Sequence, residues 1–170
     1  MLSKNWEVSL AASDRLASIG RKKIPGLLIP LLKSKRPDVR NSVALALKEI
    51  GDDDAVKPLM NAIMTPQNRS HRGTLVSALE KHDCSLLFLP MVKLALYGDY
   101  EVQCHALIIL SEQKFATTFE EIQKAKRLIK NYRTRKTKYH GYSILLTELS
   151  RYVSRIEKQT RYRRTVKKGK

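Results

Sequence analysis

Apolar residues along this chain recur at steps of three and four. The plainest case is Tyr142, Leu145, Leu146, Leu149, Tyr152, Val153 and Ile156, whose spacing of 3, 1, 3, 3, 1 and 3 puts them on one face of an α-helix. Ile122, Ala125, Leu128, Ile129 and Tyr132 form a second stripe of the same kind, and Pro37 to Leu47 reads as an amphipathic helix that ends at Ile50-Gly51. No segment sustains an alternation of apolar and polar residues, so strands are not expected. The pattern predicts an all-α chain with helices over 5–19, 24–34, 37–50, 53–64, 66–81, 84–97, 100–112, 118–133 and 140–164.

The boundaries have local causes. Pro37 and Pro66 stand where a helix's first N–H has no partner in any case, and Thr65 is placed to cap the helix that Pro66 opens. Asp52, Asp83 and Asp99 read as N-caps, with Asp53 and Asp54 complementing the positive end of the next helix. Thr118 and Glu121 have the spacing of a capping box. Gly20, Gly51 and Gly98 follow helices, where a left-handed C-cap costs glycine least.

A repeat underlies these elements. Leu16, Leu47, Leu79 and Leu110 take the same place near the end of successive first helices, at spacings of 31, 32 and 31 residues. Ile19-Gly20 precedes one turn as Ile50-Gly51 precedes the next, and Pro58 is matched by Pro90, 32 residues on. No single helix pair buries its own stripe, so pairs must stack on their neighbours.

Asp38-Val39-Arg40, leading through Ala44-Leu45-Ala46-Leu47 to Ile50-Gly51-Asp52, with Ala55-Val56 and Leu59 beyond, resembles a HEAT-like repeat of the short variety first described in bilin lyases. The resemblance covers about residues 13–133 and is closest over 37–64. Arg72 matches Arg40 in the third unit, where Lys81-His82 replaces the Ile-Gly step, and Gln103 stands at the arginine's place in the fourth. It implies an α-solenoid of about four helix pairs with a ligand-facing concave side built from the second helix of each pair. It leaves function open, because this architecture hosts scaffolds, inhibitors, nucleic-acid binders and a few enzymes. The expected organisation is a solenoid over 1–133, a basic connection and capping helix over 134–157 packed on it, and a basic tail over 158–170.

Composition narrows the class. Apolar residues make up 42% and charged residues 29% of the 170, ordinary for a globular chain. The N-terminus, Met1 to Ser13, has neither the basic nor the apolar region of a secretory signal. The longest apolar run, Leu86 to Val92, contains Pro90 and is far short of the ~20 residues that cross a bilayer. Cys84 and Cys104 sit in apolar helical patterns, which suits a reducing cytosol. A soluble cytoplasmic protein without a membrane span is expected.

Charge is the outlier. The chain holds 33 Lys and Arg against 16 Asp and Glu, a net charge of +17. Residues 1–121 are nearly balanced, whereas residues 122–170 carry 17 basic side chains against only Glu148 and Glu157, a balance of +15. Such asymmetry points to a polyanionic partner. The phosphate-contacting set expected from it is Arg127, Lys130, Arg133, Arg135, Lys136, Lys138, Arg151, Arg155, Lys158, Arg161, Arg163 and Arg164. Arg151, Arg155 and Lys158, four and three apart, form a ridge on one side of their helix. Arg21, Lys22, Lys23, Lys33, Lys35 and Arg36 make a secondary basic patch. Five of the seven tyrosines lie in the basic segment. Tyr142 and Tyr152 fall on its apolar stripe and are expected in the core, leaving Tyr139 and Tyr162 to stack on bases.

No catalytic motif accompanies this charge: there is no Gly-rich phosphate loop, no His-Glu-x-x-His and no Gly-x-Ser-x-Gly. His82-x-Cys84 and Cys104-His105 match no structural zinc spacing, so neither metal nor cofactor is expected. HEAT-like proteins include alkylpurine DNA glycosylases, which set an acidic group beside aromatic residues in the groove. Here the acids of residues 1–121 fall mostly at helix starts, and the one tryptophan, Trp6, shares a stripe with Leu10. The expectation is a non-catalytic protein that binds nucleic acid, DNA or RNA, with no small-molecule substrate. The alternative is an interaction module that grips an acidic protein, as inhibitor, immunity protein or adaptor.

Overall fold

The computed structural model describes Ala11, Arg15, residues 24–134 and residues 142–168, with side chains over 143–162 in the last segment. The helix expected over 5–19, with Trp6 and Gly20, therefore falls almost wholly outside the described residues. In chain order the helices are α1 (Ile24–Leu28), α2 (Pro37–Ile50), α3 (Val56–Met64), α4 (Gly73–Ala78), α5 (Phe88–Tyr97), α6 (Tyr100–Glu112), α7 (Phe119–Arg133) and α8 (Tyr142–Lys168). Single 3₁₀ turns at Ile29–Lys33, Asp53–Ala55, Pro66–Asn68 and Leu79–Lys81 flank them. There is no strand among the described residues, and the fold is all-α.

Two compact units divide the chain, Met1–Asp83 and Cys84–Lys170. In the first, α2 packs on α4 and α3 on α4, around Leu28, Val43, Leu47, Leu59, Ile63 and Leu75, all buried. Lys48 adds a polar tie between helices: its Nζ donates to Glu80 Oε2 at 2.8 Å and to Ser77 Oγ at 2.9 Å. In the second unit α5 packs on α6 and α7, while α8 lies against α7 and α6. Its core holds Phe88, Met91, Leu110, Ile122, Leu149 and Val153, and Phe88 and Phe115 meet with ring centroids 5.8 Å apart.

Helices α2 and α6 have the bounds that their patterns predict, and each expected capping device at Asp52, Asp99 and Thr118 is present. Asp54 N–H donates to Asp52 Oδ1 at 3.0 Å and Val102 N–H to Asp99 Oδ1 at 3.1 Å. Thr118 and Glu121 close a reciprocal capping box at the start of α7. Gly51 ends α2 in the left-handed region at φ 68°.

α8 runs on to Lys168, past the expected end at 164 and through most of the stretch expected as a tail over 158–170. Elsewhere the pattern overran the backbone, and proline accounts for much of it. A proline in a helix interior clashes with the carbonyl four residues back. Pro90 thus bars Leu86 from the same helix, and α5 starts at Phe88 rather than 84. Pro30 falls within the helix expected over 24–34, whose second half is a 3₁₀ turn. The helix expected over 66–81 is a 3₁₀ turn, a loop and α4 instead. Asn68 explains the interruption: its buried Nδ2 donates to Ala62 O at 2.8 Å, a side-chain bond that holds the chain out of helix. Three cap assignments are corrected as well. Thr65 makes no cap bond, and its hydroxyl donates to Asn61 O. Asp83 opens no helix, and its N–H donates to Asp53 Oδ1 at 2.7 Å. Gly98 is extended at φ −73°, ψ 168°, and is required for another reason: a Cβ there would lie 2.3 Å from Val102 Cγ1.

Candidate functional site

Helix α7 turns Ile122, Ala125 and Ile129 into the core of its unit, so its charged residues must face outward. Arg127, Lys130 and Arg133 are exposed there and take part in no ion pair or hydrogen bond among the described residues. Lys124 is held by Glu120 at 3.0 Å, one turn earlier. On α8, Leu146, Leu149, Val153 and Ile156 are buried and the basic residues lie on the remaining sides. Lys158 is exposed and equally without a partner among the described residues. A shallow cleft of about 210 Å³ runs between α7 and α8, floored by Ile129 and Val153 and rimmed by Lys126, Lys130, Arg133, Ser150 and Ser154.

The other cations of α8 are engaged. Arg151 pairs with Glu148 and stands over the Tyr152 ring, 5.1 Å from its centroid. Arg161 pairs with Glu157 at 3.0 Å and lies 5.9 Å over the Phe119 ring. Arg155 donates to Leu110 O at 2.8 Å and to Ser111 O at 2.7 Å. Those carbonyls belong to the last turn of α6, where helix geometry leaves them unpaired and the helix dipole is negative. The ridge of Arg151, Arg155 and Lys158 therefore divides, with Lys158 alone unengaged.

Both acids of residues 122–170 are occupied. Glu148 is taken by Arg151, and the largely buried Glu157 receives Lys126 at 2.5 Å together with Arg161. The hydrogen bond from Lys126 does most to hold the Glu157 carboxyl below the usual carboxylate range, and the one from Arg161 adds to it. No acid in this segment is left to neutralise Arg127, Lys130, Arg133 and Lys158.

Tyr152, expected in the core, is half-buried beneath Arg151 and Arg155, and Tyr162 is 71% exposed. Arg135, Lys136, Lys138 and Tyr139 lie outside the described residues, as do the side chains of Tyr142, Arg163 and Arg164. The same holds for Arg21, Lys22 and Lys23 of the secondary patch. Its other members part company: Arg36 is held by Asp38, while Lys33 and Lys35 border a groove of about 840 Å³ within the first unit. That groove also reaches Arg40, which the sequence marked only as a repeat position; the proximity of Lys33, Lys35 and an arginine to one repeat turn was its one visible signal.

Among the described residues no cluster of His, Cys, Asp and Glu could hold a metal ion, and no helix is long and apolar enough to cross a membrane. No curated protein and no solved structure matches the chain. A family model for HEAT repeats matches residues 1–80, ending three residues short of the boundary between the two compact units. Residues 1–80 are thus similar to HEAT repeats, helical units that bury their apolar stripes by stacking on their neighbours.

Proposed function

We propose that this chain is a non-catalytic nucleic-acid-binding protein whose second unit contacts the phosphate backbone. One observation carries the proposal: in a segment with a balance of +15, both carboxylates are bound within ion pairs while Arg127, Lys130, Arg133 and Lys158 stand exposed and, among the described residues, unpaired. Unneutralised cations on a helical surface are what counterion release from a polyanion requires. Three of them follow one another at three-residue steps on α7, and Lys130 and Arg133 also rim the cleft against α8. Ser150 at that rim adds a hydroxyl suited to a phosphate oxygen, whereas the Ser154 hydroxyl already donates to Ser150 O at 2.8 Å. Lys158 adds a charge on α8. These contacts fix position on a backbone and carry no base-edge code, so binding is expected to tolerate sequence changes.

Fluorescence anisotropy with a labelled duplex, a single strand and an RNA hairpin, titrated from about 50 to 300 mM salt, tests the proposal. The variant Arg127→Gln/Lys130→Gln/Arg133→Gln removes three exposed charges without touching the core. On duplex the log–log salt slope should shrink by about 2.7, at about 0.9 per lost phosphate contact. An unchanged slope, or no binding by the parent chain at the lowest salt, overturns the proposal.

A further inference from the structure

The groove of the first unit has a chemistry of its own. It is formed by the 3₁₀ turn after α1, the start of α2, the outer side of α3 and the loop before α4, and encloses about 840 Å³. That volume lies within the range of about 300–1,000 Å³ typical of ligand sites. None of its lining residues is acidic, whereas Lys33, Lys35 and Arg40 all contribute.

Arg40 is the centre of the argument. It is only 4% exposed, and a buried guanidinium ordinarily has a carboxylate or a full set of acceptors. Here Nη1 donates to Ser34 O at 2.7 Å, and Nε is buried with no hydrogen-bond partner. The nearby carboxylate, Asp38, is bound by Arg36 instead. A guanidinium has five N–H donors, and this one makes a single hydrogen bond among the described residues. Burial pulls its pKa down against the opposing pull of Asp38, yet an arginine stays charged, so the groove holds a desolvated cation whose neighbouring carboxylate is already held by Arg36.

We propose that this groove binds an extended acidic peptide segment, with one carboxylate on Arg40 and its neighbours near Lys33 and Lys35. Charge complementarity selects an anion, and the rest of the wall selects a peptide. Ile29, Leu32, Pro58 and Ala62 offer apolar contact to alternate side chains. Asn61, Thr65, Gln67 and Ser70 offer amides and hydroxyls to a peptide backbone. The lining contains no phenylalanine, tyrosine or tryptophan on which a base could stack. The site is independent of the cations on α7 and α8, so either proposal stands if the other fails.

The test uses the full chain and a fluorescein-labelled octapeptide of alternating Leu and Glu. Saturable binding is expected, with ¹⁵N shift changes at Ser34, Thr65, Gln67 and Ser70. Replacing the four Glu by Gln, or the exposed pair by Lys33→Glu/Lys35→Glu, should weaken binding about tenfold or more. Arg40→Gln should weaken it about 30-fold, the loss expected for one partner of a buried charge pair. Circular dichroism will show whether that variant folds, and the Lys33/Lys35 variant, altered only at the rim, decides the matter if it does not. Shift changes confined to residues 142–168 would overturn the proposal. So would equal affinity for an all-Glu octapeptide, or tighter binding of an eight-nucleotide thymidine strand at the same resonances.

Discussion

Arg155 allows the two roles of the basic segment to be separated in a single residue. Arg155→Met keeps an unbranched apolar stem and deletes the guanidinium, which freely donates to Leu110 O and Ser111 O at the end of α6. A hydrogen bond from a charged donor contributes about 1.5–3 kcal/mol, and a partly exposed one falls at or below the lower end. Two such bonds amount to about 2 kcal/mol. The guanidinium also lies 5.5 Å from the Tyr152 ring centroid, an exposed cation–π contact that adds about 0.5 kcal/mol. The expected loss is therefore about 2–3 kcal/mol in the unit formed by residues 84–170. For a unit of that size each kcal/mol shifts Tm by about 4–8 °C, so a calorimetric midpoint should drop by at least about 8 °C. The duplex salt slope, read on the same preparation below its midpoint, should stay unchanged, because a guanidinium bound to two carbonyls is not a phosphate contact. A Tm within about 1 °C of the parent together with a slope reduced by about 0.9 would refute this reasoning and return Arg155 to the phosphate-contacting set.

Three further outcomes follow from particular contacts. Burial pushes His82 below its ordinary value, against the opposing pull of Asp53 and Asp52, so the folded first unit disfavours its protonated form. Urea denaturation should find that unit at full stability near neutral pH and progressively less stable as pH falls from about 6.5 toward the depressed folded pKa, a dependence that His82→Gln should flatten. Gly98→Ala forces a Cβ to within 2.3 Å of Val102 Cγ1 and 2.6 Å of Leu94 O, and equilibrium denaturation should show a loss of about 1–3 kcal/mol. Asp99→Ala removes the oxygen that accepts from Val102 N–H, and the same measurement should show about 1 kcal/mol, rescued by Asp99→Asn or Asp99→Ser.

How far the fold was legible depends on whether its determinants are local. α2 opens at Pro37 and closes at left-handed Gly51, both local devices, and its bounds are those the pattern predicts. The capping box of α7 spans four residues and was equally visible. The segment 66–81 was not, because the decisive bond joins Asn68 to a carbonyl in the preceding helix, and periodicity holds no information about where an amide side chain turns. Asp83 was misread for a similar reason: its N–H meets the Asp53 carboxylate 30 residues away, a tertiary bond that periodicity does not encode.

The candidate site divides along the same line. Total charge and its crowding into residues 122–170 are properties of composition and needed no structure. The fate of each charge is a tertiary matter: Glu157 meets Lys126 across 31 residues, and Arg155 reaches Leu110 across 45. The distinction has a consequence for binding. An arginine bound to carbonyls keeps its positive charge, so Arg155 still contributes to the field that draws a polyanion in, although its donors are occupied. Ion-paired Arg151 and Arg161 contribute little to either. Field and contact therefore scale with different counts, and association should be faster and more salt-sensitive than the number of phosphate contacts alone requires. Beyond a Debye length of about 8 Å at physiological salt the field is screened, so under the proposed function the exposed cations of α7 and α8 would hold what the field has collected.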